Sequence, residues 1–202
     1  MIKDMIKTGL FLFTVTAIAG LLLAYSESLT GPIIQKNQLK AEEDAQKKVL
    51  PGKIYKDFSF KMDKEEFTYK VGYNESGNPV GAIFKVAPKG FANEINTMVG
   101  IDMQGHVVGY QILSLSETPG LGMKLKGDKF NADLKKLMSE KSEPIFKVKK
   151  DGGDVDAITA ATISSRAFCL GLTEAQRKFM SIKSQIKELS ESELTTSNGG
   201  EK

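Results

Sequence analysis

The chain has 202 residues, 41% hydrophobic and 26% charged, enough for one globular domain with an accessory segment and too apolar for a disordered chain. Its net charge of +3 arises from 28 basic and 25 acidic residues; the basic ones are scattered without an aromatic stripe, which argues against nucleic-acid binding. A single cysteine, Cys169, excludes an internal disulfide, and with the single histidine, His106, it offers no zinc ligand set.

From Thr8 to Ser26 the run "TGLFLFTVTAIAGLLLAYS" carries no charge, with Lys3 and Lys7 before it and Glu27 after it. Such a run suits one helix crossing a hydrocarbon core of about 30 Å. A cleaved signal peptide is the alternative, but its apolar core is usually about 7–15 residues, and "LAYSES" matches a small-x-small cleavage site poorly. The lysines on the short side place residues 1–7 in the cytoplasm and the rest beyond Tyr25 across the membrane. After "TGPI", where Pro32 is expected to restart the chain, residues 33–49 are rich in helix formers, so 27–52 reads as a polar stalk helix and linker closed by Pro51 and Gly52.

The texture changes from Phe67 onward. "FTYKVGY", "PVGAIFKVA", "INTMVGID" and "HVVGYQILSLS" are β-branched and aromatic runs separated by turn signals, which predicts an antiparallel sheet built from hairpins. "KFNADLKKLMSE" has helical spacing of Phe130, Leu134 and Leu137, and "PIFKVKK" reads as a strand. From Ser164, the spacing of Phe168, Leu172, Ala175 and Phe179 predicts an amphipathic helix. The fold class is therefore α+β, with a domain over 53–194 and a polar, flexible tail over 195–202. Cys169, in the apolar run "AFCLGL", reads as a buried thiol.

Two loops carry chemistry. "SLSETPGLGMKL", 114–125, follows a strand; Pro119 restricts one backbone angle, while Gly120 and Gly122 permit positive φ or close approach. It has no Walker pattern. "DVDAITAATISSRA", 154–167, gathers Thr159, Thr162, Ser164 and Ser165 among small residues just before a helix. Hydroxyls there could cap the helix, cradle a phosphate, or accept a bond to a bulky group.

Asp156-Ala157-Ile158-Thr159-Ala160-Ala161-Thr162 resembles the D-x-x-S/T-G/A-A-T/S flavinylation sequence of FMN-binding domains. These domains occur in the G subunit of the Rnf electron-transport complex and the C subunit of the sodium-translocating NADH:quinone reductase. "SETPGLG" is similar to the family's second signature, and the N-terminal span, "VLPG" and "MVGID" follow in the family's order. Thr159 and Ala160 stand where the family often has Ser and Gly, and "KGFANEI" lacks a glycine pair common there. Compact length favours the first of these two families over the second.

The resemblance implies FMN joined through a phosphoester to Thr162, with Asp156, Thr159 and Ala161 forming a recognition and clearance segment. Ser164 and Ser165, with Arg166 as helper, become candidates to hydrogen-bond the phosphate. Glu117, Thr118, Gly120, Leu121 and Gly122 would form the opposing wall near the ring. A separate flavin transferase would attach the group after export. The implied role is an electron relay on the outer face of an inner-membrane complex that couples ferredoxin and NAD chemistry to sodium or proton movement. It would be a redox subunit, not a complete enzyme, with ferredoxin and NAD bound by other subunits. The alternatives are the C-subunit role in the sodium-translocating NADH:quinone reductase, and an anchored domain outside the cytoplasm that holds FMN or another anionic ligand reversibly.

Overall fold

The computed structural model describes residues 2–62 and 65–197. By chain contacts it falls into two units, 1–43 and 44–202.

The first unit is helical. It is the greater part of α1, Ile2–Val49, which contains a stretch long and apolar enough to cross a membrane. The helix does not stop at Pro32, contrary to the fresh start expected there; Pro32 lies inside it. Proline removes the one backbone donor that would bond the Ser28 carbonyl, and the helix continues on both sides of that single missing bond.

The second unit is an antiparallel meander covered by helices. Its strands are β1 (Ile54–Met62), β2 (Glu65–Tyr73), β3 (Pro79–Val86), β4 (Asn96–Asp102) and β5 (Val107–Ser114), with each strand pairing its sequence neighbours in the order 1-2-3-4-5. Two helices follow, α2 (Asp128–Glu140) and α3 (Thr162–Ser197). Four of the five expected strands and both expected helices form. α3 runs to Ser197, three residues into the expected tail, whose last five positions, 198–202, lie outside the described residues.

One strand goes beyond the sequence reading, and one expected strand does not form. β1, "IYKDFSFKM", belongs to the sheet as its edge strand, paired from Ile54↔Tyr73 to Met62↔Glu65. "PIFKVKK" is not a strand: Phe146 and Val148 are buried as strand alternation would have them, but only the isolated bridge Val148↔Val155 forms, and Lys149–Asp151 is a 3₁₀ turn. Alternation records which residues face the core; it does not supply a neighbouring strand to pair with.

Strand period places side chains on two faces. Ala82, Phe84 and Val86 of β3 and Val99 and Ile101 of β4 join the main core with Phe168, Leu172, Ala175 and Phe179 of α3. These four helix residues are each no more than 1% exposed, so the predicted stripe is the buried one. Gly171 interrupts the stripe for a steric reason: a Cβ there would lie 3.0 Å from Pro88 Cγ. On the opposite face, Ile83 and Met98 pack with Ala45, Val49 and Leu50 at the end of α1. Gly100 and Gly109 are paired in register under that helix end, and a Cβ on either would run into the backbone of Val49. Tyr55 secures the segment by donating to the Leu50 carbonyl at 2.6 Å and accepting from the Gly52 N–H at 3.1 Å.

Candidate cofactor site

Two similar turns face one cavity. In the first, Thr118-Pro119-Gly120-Leu121, the Leu121 N–H donates to the Thr118 carbonyl at 3.1 Å and Gly120 has φ +73°. Proline second and a positive-φ glycine third is the signature of a type II turn. In the other, Ile158-Thr159-Ala160-Ala161, the Ala161 N–H donates to the Ile158 carbonyl at 3.0 Å and Ala160 has φ +61°. Among the described residues it is the sole non-glycine residue with positive φ. The family's usual glycine at this position now has a physical reason, since only glycine enters this region without cost.

The cavity between the turns has a volume of about 320 Å³ and is lined by Phe91, Glu117, Thr118, Leu121, Gly122, Ala160, Ala161, Thr162, Ile163 and Ser164. Seven residues read from the sequence are thus brought together: Thr162, Ala161, Ser164, Glu117, Thr118, Leu121 and Gly122. Four others do not line it. Gly120 turns into open space. Asp156 and Thr159 are exposed, and Asp156 pairs with Lys149 at 2.7 Å. Ser165 is fully buried, donating to the Ala161 carbonyl and accepting from the Ile158 N–H, both at 3.0 Å. Arg166 is also turned away, its guanidinium forked onto Asp151 with two bonds of 2.6 Å.

α3 begins at Thr162, two residues before the expected start, so Ser164 and Ser165 lie within its first turns. Among the described residues, the N–H groups of Thr162, Ile163 and Ser164 have no backbone acceptor, and the Thr162 hydroxyl makes no hydrogen bond. Three N–H groups without a backbone acceptor at the positive end of a 36-residue helix, beside a half-buried hydroxyl, are an arrangement that can receive an anion. The mouth is apolar: Phe91 is 65% exposed, Ile163 52% and Leu121 37%. A phosphate at the helix start and a planar aromatic ring at the mouth are therefore matched to the residues present.

Glu117 is the buried charge of the site, 6% exposed. Burial alone would raise its pKa, but hydrogen bonds from the Ser164 hydroxyl and the N–H groups of Ala92, Asn93 and Phe91 outweigh it and hold the carboxyl below its ordinary value. It is ionised at neutral pH. Cys169, packed in the core, has its thiol pushed up to about 12, first by burial and then by the Asp151 charge.

Phe91 was the least legible of the lining residues. A lone aromatic in a turn belongs to no periodic pattern; the sequence signal nearest to it is Gly90, where a Cβ would strike the Glu117 carboxylate. Ala160 and Ile163 sit inside the hydroxyl-rich stretch without having been singled out as site residues.

Residues 90–177 match the FMN-binding domain family. The G subunit of an ion-translocating oxidoreductase complex from Vibrio cholerae is 30% identical over 190 residues, covering 84% of this chain and 87% of that protein. The chain belongs to this family of G subunits. Another relative, the G subunit of a Na⁺-translocating ferredoxin:NAD⁺ oxidoreductase complex from Acetobacterium woodii, is 29% identical over 188 residues, 84% of this chain and 89% of the relative. The corresponding protein of Shewanella amazonensis is 42% identical over 99 residues, so there the match spans about half of each protein, 47% and 46%. That the relatives are G subunits agrees with the preference drawn from compact length.

Proposed function

We propose that the chain is the FMN-carrying electron-relay subunit of a membrane-bound, ion-translocating oxidoreductase complex, with the cofactor joined by a phosphoester to Thr162. The observation that carries this reading is the Thr162 hydroxyl, without a hydrogen-bond partner among the described residues, at the first residue of α3 beside three N–H groups that have no backbone acceptor, in a lined cavity. FMN supplies the electron chemistry when attached. The chain's part is to hold it: the helix start receives the phosphate, Thr118, Leu121, Gly122 and Ala161 flank it, and Phe91 and Ile163 narrow the mouth. Ser164 and Ser165 act on this site through the bonds they already make within the protein. Asp156 and Thr159, exposed on the approach to the turn, present the segment to a flavin transferase.

The apolar stretch of α1 anchors the chain in the cytoplasmic membrane, and Lys3 and Lys7 keep the N-terminus inside, which puts the cofactor domain outside. The Acetobacterium relative's name supports ferredoxin and NAD⁺ as the complex's end reactants. They would bind other subunits. Among the described residues no group of His, Cys, Asp and Glu could hold a metal ion.

One experiment tests attachment and orientation together. Spheroplasts making the chain with a flavin transferase should give a flavin-fluorescent band on a denaturing gel, Thr162→Ala none, and external protease should remove the band. A fluorescent Thr162→Ala band would refute the attachment site. A band that survives protease in spheroplasts and is lost after lysis would refute the orientation.

A further inference from the structure

Glu117 stands where the cofactor's wall was expected, yet its oxygens are engaged within the protein. Oε1 accepts from the Ala92 N–H at 3.0 Å and the Asn93 N–H at 3.5 Å; Oε2 accepts from Ser164 Oγ at 2.7 Å. These partners lie on two segments distant in sequence, the 90–93 turn and the first turn of α3, while Glu117 itself precedes the Thr118–Leu121 turn. The three segments carry the three apolar side chains of the mouth, Phe91, Leu121 and Ile163, and one of them carries Thr162.

Glycines make room for this carboxylate on two sides. A Cβ at Gly90 would strike Oε1, and one at Gly122 would lie 2.7 Å from both the Glu117 Cβ and Oε2, and 2.8 Å from Ser164 Oγ. Among the described residues no cation takes part, and the bonding partners are neutral donors. Ionised acceptors bind such donors more strongly than neutral ones, which suits a carboxylate to the junction of three loops. The next serine holds the other side: Ser165 bonds Ile158 and Ala161, bracing the turn that leads into Thr162.

We propose that Glu117 is a positioning residue: its carboxylate bridges the 90–93 turn to Ser164 and thereby shapes the cavity in which Thr162 presents its hydroxyl. This role rests on the reading of Thr162 as the flavin acceptor. It differs from a place in the cofactor's wall because Glu117 acts through its hydrogen-bond partners, so a neutral side chain that keeps the bonds should serve.

The test uses the full-length chain in detergent, with Glu117→Gln, Glu117→Ala and Ser164→Ala. Amide hydrogen exchange over residues 90–94 and 158–166 is measured without flavin, and the rate of covalent flavin incorporation is measured with the transferase. Glutamine can accept from Ala92 and Asn93 and donate to Ser164 Oγ, so Glu117→Gln should stay within about threefold of wild type in both readouts. Glu117→Ala should speed exchange in both segments and slow incorporation by about tenfold or more, the scale of a lost charge-assisted hydrogen bond. Ser164→Ala should fall between them, and it carries the test if Glu117→Ala does not fold. Wild-type exchange and incorporation in folded Glu117→Ala, or in Ser164→Ala if it stands in, would overturn the proposal, as would Glu117→Gln being as slow as Glu117→Ala. A wild-type chain that takes up flavin without a covalent bond would overturn the Thr162 reading, whereas equal covalent incorporation in wild type and Glu117→Ala would overturn the bracket alone.

Discussion

Ala160 holds a backbone conformation that an L side chain adopts at a cost, with φ +61° in the turn that delivers the chain to Thr162. The bond from Ala161 N–H to the Ile158 carbonyl closes this turn, and Ser165 braces it from beneath. The strain is thus carried by the surrounding bonds and leaves the turn intact. Glycine would relieve the left-handed penalty but adds freedom to the unfolded chain, so Ala160→Gly should stabilise the flavin-free protein by a net of about 0.5–1 kcal/mol. Urea unfolding measures this, and a destabilised Ala160→Gly would show that the methyl group at this position contributes more by packing than it costs in strain. Composition alone marked the segment as small and hydroxyl-rich. That Ser164 and Ser165 turn inward, one to Glu117 and one to the preceding turn, depends on where α3 begins, which sequence spacing places only to within a few residues.

At the scale of elements, the end of α1 lies against the sheet because two glycines face each other in β4 and β5. The pairing Gly100↔Gly109 leaves a flat patch, and the backbone of Val49 occupies the space that two Cβ atoms would fill. Gly100→Ala should therefore displace Val49 and Leu50 and cost about 1–3 kcal/mol, as overpacking does. Urea unfolding of the variant reads this directly; an unchanged midpoint and slope would mean that the helix end yields without loss. "MVGID" was legible as a strand, but the purpose of its glycine was not, because the partner surface at Val49 lies far back in the chain. The same limit explains why β1 escaped the sequence reading and why 144–150 read as a strand. β1 alternates Tyr55 toward one face with Phe58 and Phe60 toward the other, a pattern hidden by the charges of an edge strand. Residues 144–150 alternate without a partner strand. Periodicity reports burial, and pairing has to be supplied by the rest of the fold.

Across the whole molecule, the candidate site is an assembly of three segments, at 91, 117–122 and 160–164, brought together where the loop before β4, the loop after β5 and the start of α3 meet. Two of the three were readable because their chemistry is local: a Pro-Gly turn, and a cluster of hydroxyls before an amphipathic helix. The third depends on tertiary contact, through the bonds that Glu117 makes to Ala92 and Asn93. Membership of the G-subunit family accords with this construction, and the central claim is narrower than membership: one hydroxyl among four in a short stretch carries the cofactor. Trypsin should cut after Lys150 and Arg166 and release that stretch as one peptide containing Thr159, Thr162, Ser164 and Ser165. Fragmentation mass spectrometry of this peptide, from chain matured with its transferase, should place an FMN phosphoryl group on Thr162 and leave the other three hydroxyls unmodified. Flavin on any of those three, or an unmodified peptide from a chain that fluoresces after denaturation, would contradict the account.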